Sequence, residues 1–256
     1  MTMRQLIALG CLSLALAGCS QPNNAHLQGW VEADFLFVGP DEPGRIETLS
    51  VTEGQMVKAG DPLFTLDDDL QKAEVMQTSA TVTNARQTLA RAEQLVKALA
   101  GTQKAFDDAQ AALREAEARL NSAQTRLARR KIFSPADGVA HQIYYRPGEI
   151  VPAGRPVIAL LPPANVKVRF FVPETELARV SLGDSVAVGC DNCPPDLTAR
   201  ISFIARTAEF TPPVIYSLEE RAKLVYLVEA RPERPQDMRI GQPVHVTLRN
   251  GAGAKR

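Results

Sequence analysis

Several things are scarce in this chain of 256 residues, and each scarcity excludes something. Neither sign of charge is in excess, since Lys+Arg and Asp+Glu both number 29. The basic footprint of a nucleic-acid binder is therefore missing. Histidine occurs three times, at His26, His141 and His245, too far apart in sequence for a metal-ligand spacing. No Ser/His/Asp constellation, phosphate-binding glycine loop or carboxylate pair stands out. We therefore expect no enzyme activity, no cofactor and no metal. Beyond the first 17 positions no apolar run approaches the roughly 20 residues that a membrane-crossing helix needs. Aromatic residues make up only 5%. What is present is an ordinary apolar fraction of 45%, which argues for a folded chain. The length suffices for one large domain or two to three small ones.

The N-terminus reads as a targeting segment. Met1 to Arg4 supplies positive charge, and Leu6 to Ala17 is an apolar run too short to span a bilayer. It ends in Leu16-Ala17-Gly18-Cys19, which looks like a bacterial lipobox, followed by the polar tether Ser20-Gln21-Pro22-Asn23-Asn24. That likeness implies cleavage before Cys19 and acylation of its thiol, so residues 1–18 are assigned as signal peptide and 19–29 as tether. Lipid would be the membrane anchor.

The strongest internal signal is a repeat at an offset of 94. Gly44, Gly54, Val57, Gly60, Leu63 and Leu66 recur as Gly138, Gly148, Val151, Gly154, Val157 and Leu160, and Pro62 recurs as Pro156. Each copy reads as short strands with glycine at the turns. The pattern resembles the two halves of a lipoyl or biotinyl domain, a flattened β-sandwich. A true carrier presents a lysine in a tight hairpin between its halves. Here about 70 residues stand in that place, and Lys58 and Lys72 are not at the equivalent position. Between the copies the apolar period changes to alternating threes and fours. Val75, Thr78, Val82, Ala85, Leu89, Ala92, Val96 and Leu99 form one seam; Phe106, Ala109, Leu113, Ala116, Leu120, Ala123 and Leu127 form the other. The break between them contains Gly101, suited to a turn or helix C-cap, and Pro135 closes the second run. This predicts an antiparallel helical hairpin over 68–131, with arms of about 30 residues and roughly 45 Å.

A split sandwich carrying a long hairpin resembles the periplasmic adaptors of the hemolysin D type, the membrane fusion proteins. The expected fold is α+β: an elongated multi-module adaptor with a lipoyl-like β-sandwich (43–67 and 132–162), an inserted coiled-coil hairpin (68–131) and a C-terminal β-barrel (163–250). An N-terminal strand (30–42) joins the barrel, and 251–256 form a tail. Stretches near 40–44 and 162–165 are the expected hinges. The resemblance implies a partner exporter in the inner membrane, of the ABC type or alternatively the RND type. The chain's end just after the barrel favours the former. It also implies a TolC-like outer-membrane channel and a homo-oligomeric ring. Localisation is periplasmic, with the anchor in the inner membrane; Ser20 after the cysteine makes the outer membrane the alternative.

Hairpin tips in this family resemble Arg-x3-Leu-x6-Ser-x4-Asp-x-Ala-x3-Leu. Arg91, Leu95, Thr102, Asp107, Ala109 and Leu113 fall at those spacings, with Thr for Ser. The resemblance assigns channel docking to Arg91, Leu95 and Thr102, while Asp107, Ala109 and Leu113 are expected to serve the helix pair. Cys190 and Cys193 flank Asp-Asn and precede Pro194-Pro195. That context suits a turn rather than a redox helix start or a zinc knuckle, so a structural disulfide is expected. Two other readings are weighed beside the adaptor: a lipoyl or biotinyl carrier, and a periplasmic lipoprotein scaffold without a transport role.

Overall fold

The computed structural model describes residues 26–191, 193–210 and 224–248. The expected signal peptide with Cys19, most of the expected tether, residues 211–223 and the expected C-terminal tail lie outside the described residues. The chain forms two compact units, one of residues 33–165 and one of 1–32 with 166–256.

Chain order begins with β1 (Leu27–Ala33), β2 (Leu36–Val38), β3 (Gly44–Leu49), β4 (Met56–Val57) and β5 (Pro62–Leu66). Helices α1 (Asp69–Lys97) and α2 (Gln103–Ala128) follow, then β6 (Lys131–Phe133), β7 (Gly138–Ile143), β8 (Ile150–Val151) and β9 (Ile158–Leu161). In the 33–165 unit, two four-stranded sheets, β2-β9-β7-β4 and β6-β5-β3-β8, enclose a core. The sequence repeat is a structural one. Gly54 and Gly148 have φ of 86° and 93°, and Gly60 and Gly154 have φ of 89° and 71°, a region open to glycine at little cost. Val57, Leu63 and Leu66, with their counterparts Val151, Val157 and Leu160, are all buried to 3% exposure or less. Full burial of each such side chain is worth about 1.5–3 kcal/mol. The halves interleave. β3 pairs with β8 and β4 with β7. The Gly54 N–H donates to the Ala140 carbonyl (2.7 Å), mirrored by Gly148 N–H to the Ile46 carbonyl (2.8 Å).

Helices α1 and α2 replace the short hairpin that would join the halves. The cross-helix pairs Arg126–Glu74 and Arg86–Glu117, both 2.9 Å, are possible only if the helices run antiparallel. Ala109, Ala116 and Ala123, at intervals of seven, are buried along α2, and Val82 is buried on α1. The other expected seam residues are half-buried, with one exception. Leu99 lies beyond the end of α1 and is 95% exposed, so its place on the seam is corrected. A second correction concerns α2, which ends at Ala128 with Arg129 as its C-cap, well before Pro135. Arg130 provides the reason. Its side chain is 7% exposed. Its guanidinium donates to the Pro43 carbonyl (2.9 Å) and the Glu42 carboxylate (3.1 Å). Its own carbonyl accepts from Leu66 N–H (2.9 Å). This places the foot of the hairpin on the sandwich.

The other unit continues with β10 (Val166–Pro173), the short helix α3 (Glu174–Leu177), β11 (Ser185–Gly189), β12 (Leu197–Ile204), β13 (Glu209–Phe210), β14 (Leu224–Pro232) and β15 (Pro243–Leu248). The order β10-β1-β15-β11-β12-β14 closes on itself through β14–β10 pairing, with β13 along the end of β14. The strict alternation of burial along β10 is that of a barrel wall with one face inward.

The expectation of one barrel strand over 30–42 is corrected. Only β1 joins the barrel; β2 pairs with β9 in the sandwich. The strand breaks at Asp34, whose N–H donates to the Asn165 carbonyl and whose carbonyl accepts from the Asn165 amide. The chain passes between units at 32–33 and 165–166. Residues 40–44, expected to be a hinge, lie inside the sandwich unit.

Candidate functional site: the hairpin tip

The tip is built from the last turns of α1 and the first of α2. Arg91 and Leu95, four residues apart, share one face of α1. After Lys97 the helix closes in a Schellman motif: Ala100 N–H donates to the Leu95 carbonyl (2.8 Å) and Leu99 N–H to the Val96 carbonyl (3.0 Å). The left-handed residue this motif requires is Leu99, with φ of 56°. Gly101, expected to supply that conformation, serves a different purpose. A Cβ there would lie 2.9 Å from the Leu95 Cβ and 3.0 Å from Val96 N, so its missing side chain lets the turn press against α1. Thr102 is the N-cap of α2, and its hydroxyl accepts from Ala105 N–H (3.2 Å).

These elements enclose a cleft of about 290 Å³ lined by Thr88, Arg91, Ala92, Leu95, Gly101, Thr102, Ala105 and Ala109. Thus Arg91, Leu95 and Thr102, separated in sequence by up to 11 positions, share one concave surface. Leu95 is 51% exposed. Arg91 donates to the Thr88 hydroxyl (3.0 Å) and reaches no carboxylate among the described residues. The two tip lysines do. Lys97 pairs with Glu93 (2.7 Å) and Lys104 with Asp108 (2.6 Å). The Lys104 ammonium is held above its ordinary value by the hydrogen bond to Asp108 and then by that carboxylate's charge. Asp107 accepts from Gln103 (2.8 Å), and Ala109 is buried on the seam. The cleft therefore offers apolar surface, guanidinium donors with spare capacity and one hydroxyl whose proton is uncommitted.

Leu99 was missed as a surface residue because it continues the heptad rhythm. The one local signal against that reading is the lysine at 97, which suits a helix's last turn.

Cys190 and Cys193 follow β11 with Cα atoms 5.3 Å apart, within reach of the expected disulfide. The Gln242 amide donates to Cys190 Sγ (3.0 Å) and reaches Cys193 Sγ at 3.5 Å. Among the described residues no group of three His, Cys, Asp or Glu side chains gathers for a metal, and no helix is long and apolar enough to cross a membrane.

Comparison with known proteins places this architecture. The family described as RND MFP, barrel-sandwich hybrid domain, matches residues 36–161, the span from the start of β2 to the end of β9. This span is similar to a membrane fusion protein barrel-sandwich hybrid domain. Curated relatives include the UPF0194 membrane protein in the asrC 5′ region of Acidithiobacillus ferridurans, 36% identical over 129 residues (48% of this chain, 38% of that protein). Another is the UPF0194 membrane protein YbhG of Salmonella paratyphi B, 30% identical over 123 residues (47% and 37%). The matched segments thus span under two fifths of these relatives' length. Among solved structures, the MacA–MexA chimeric protein containing the Pseudomonas aeruginosa MexA α-hairpin domain has a TM-score of 0.71 at 21% identity, covering 89% of this chain and 81% of its own. The membrane fusion protein Spr0693 from Streptococcus pneumoniae R6 gives 0.68 at 18%, covering 89% and 100%. These likenesses show a shared fold.

Proposed function

We propose that this chain is a periplasmic adaptor that links an inner-membrane exporter to a TolC-like outer-membrane channel. The observation that carries the reading is the tip cleft, where Arg91, Leu95 and Thr102 converge at the end of a hairpin mounted on a membrane fusion protein sandwich. Helices of 29 and 26 residues reach about 40 Å at 1.5 Å per residue, the lever an adaptor needs to span distance. We read the helix pair as a coiled coil, because its seam repeats at sevens. A lone pair buries little apolar area, which favours several copies packed in a ring. The anchor is Cys19 lipid, in the inner membrane. An ABC-type permease is the expected pump; an RND-type permease is the alternative, which the description of the matched family favours. The barrel faces the pump, and the disulfide clamps its β11 loop.

The test is a detergent pull-down of the tagged, crosslinked protein with mass spectrometry, in wild type and Arg91→Asp. Wild type is expected to bring down an inner-membrane permease, whose class names the pump, together with a TolC-like channel. The variant is expected to lose the channel alone. Capture of neither membrane partner by wild type refutes the adaptor reading and leaves a scaffold. Capture of both by the variant refutes the docking assignment only.

A further inference from the structure

Leu99 is the most exposed large apolar residue among the described residues, at 95%, and it occupies the one position of the turn where an L-residue is disfavoured. Its φ of 56° is the left-handed conformation that the C′ position of a Schellman motif requires, and glycine or asparagine fills that position at much lower cost. Nothing among the described residues offsets that cost. The leucine lies off the helix seam, its side chain is in water, and the backbone bonds that close the turn come from N–H groups that any non-proline residue supplies. A strained, fully exposed apolar side chain at a tip is a reason to look for use outside the chain.

Its neighbours define what it would meet. Beside it lies the cleft with half-exposed Leu95 and the apolar Ala92, Ala105 and Ala109. Around these, Lys97 and Lys104 are neutralised by Glu93 and Asp108, and Arg91 reaches no carboxylate among the described residues. The tip thus presents an apolar knob flanked by a single uncompensated guanidinium.

We propose that Leu99 is the apex contact of the hairpin with the channel: it enters an apolar socket on the channel's periplasmic end, and carboxylate or helix-terminal carbonyl oxygens at the socket's edge receive Arg91. This rests on the docking reading above and adds to it a residue and the chemistry of the complementary surface.

The experiment uses the full-length chain and the purified TolC-like channel of the source cell in detergent. Binding is measured for wild type, Leu99→Gly, Leu99→Asn and Arg91→Asp, and thermal unfolding is followed for each. Gly and Asn both tolerate the left-handed backbone, so neither is expected to lower the unfolding midpoint, while both weaken channel binding by about tenfold or more, the scale of a buried apolar anchor. A photocrosslinker at position 99 is expected to label apolar residues of the channel. If Arg91→Asp weakens binding and both Leu99 variants bind as wild type, the Leu99 assignment is overturned and the docking reading stands. If the Leu99 variants lose binding only together with a lowered midpoint, the leucine is structural and the assignment is likewise overturned. If wild type does not bind, the docking reading itself fails.

Discussion

Thr102 answers two demands with one hydroxyl. As N-cap of α2 it accepts from Ala105 N–H, and its own proton remains to be donated outward. The two roles separate by substitution. Thr102→Ala removes both, and the lost cap is expected to cost roughly 0.5–2 kcal/mol of stability, read as a lower unfolding midpoint. Thr102→Asn keeps the cap, so its midpoint should stay close to wild type whatever happens to channel binding. Equal losses in the two variants would mean that the cap bond is not what Thr102 contributes. The pairs Lys72–Asp68 and Lys104–Asp108 give a pH prediction. Both ammonium groups are raised above 10.5, first by the hydrogen bond and second by the carboxylate charge. A folded value above the unfolded one means that the stabilisation is present through neutral pH and is lost as the pH climbs past 10.5. Helix ellipticity should therefore hold steady up to that value and then fall, with salt weakening both contributions at lower pH.

At the scale of elements, the foot of the hairpin is the most demanding junction. Arg130 ties the end of α2 to Glu42 and Pro43, and Gly44 leaves it room, since a Cβ there would lie 2.7 Å from Arg130 Nη1. Arg130→Ala leaves those acceptors without their donor, and denaturant unfolding should show a loss of about 1–3 kcal/mol. Gly44→Ala is expected to be destabilising by displacing the same guanidinium; an unchanged midpoint in both variants would remove this junction from the account. None of it could be read from sequence, because Arg130 sits in a run of three basic residues with Arg129 and Lys131 and looks like a solvated one. The repeat and the seam were legible, because each anchor pairs a residue type with a backbone need. Four of the six glycines in the repeat require positive φ, and the alanines at sevens allow close helix approach. The division of 27–38 was not legible. Gly29 lies inside β1 and no glycine or proline falls between Trp30 and Val38, so nothing local marks the break, which depends on Asn165, 131 positions away. The tip was half legible: spacing brought out Arg91, Leu95 and Thr102, which share the cleft with five other residues, but heptad rhythm ran one step too far and swept in Leu99.

The whole molecule is two units with the chain crossing between them twice, so any relative motion of the units would be carried by 32–33 and 165–166 together. The proposed lipid anchor and the expected lack of a carrier cofactor are both tested by one measurement. Intact mass of protein extracted from membranes should show removal of residues 1–18, acyl mass on Cys19 and no lipoyl or biotinyl adduct on any lysine. A lysine adduct would restore the carrier reading, and an unacylated N-terminus would remove the lipid anchor from the proposal.

The interleaving of the repeat also dictates an order of folding. β3 has its β8 partner, and β4 its β7 partner, only after roughly another 90 residues have been synthesised. The hairpin, whose contacts are mostly more local, can form while the first half of the sandwich still waits with unpaired strand edges and uncovered leucines. A chain stalled or truncated between Arg130 and Gly138 would carry a finished lever on an unfinished base, and those open edges make it the aggregation-prone species of this protein.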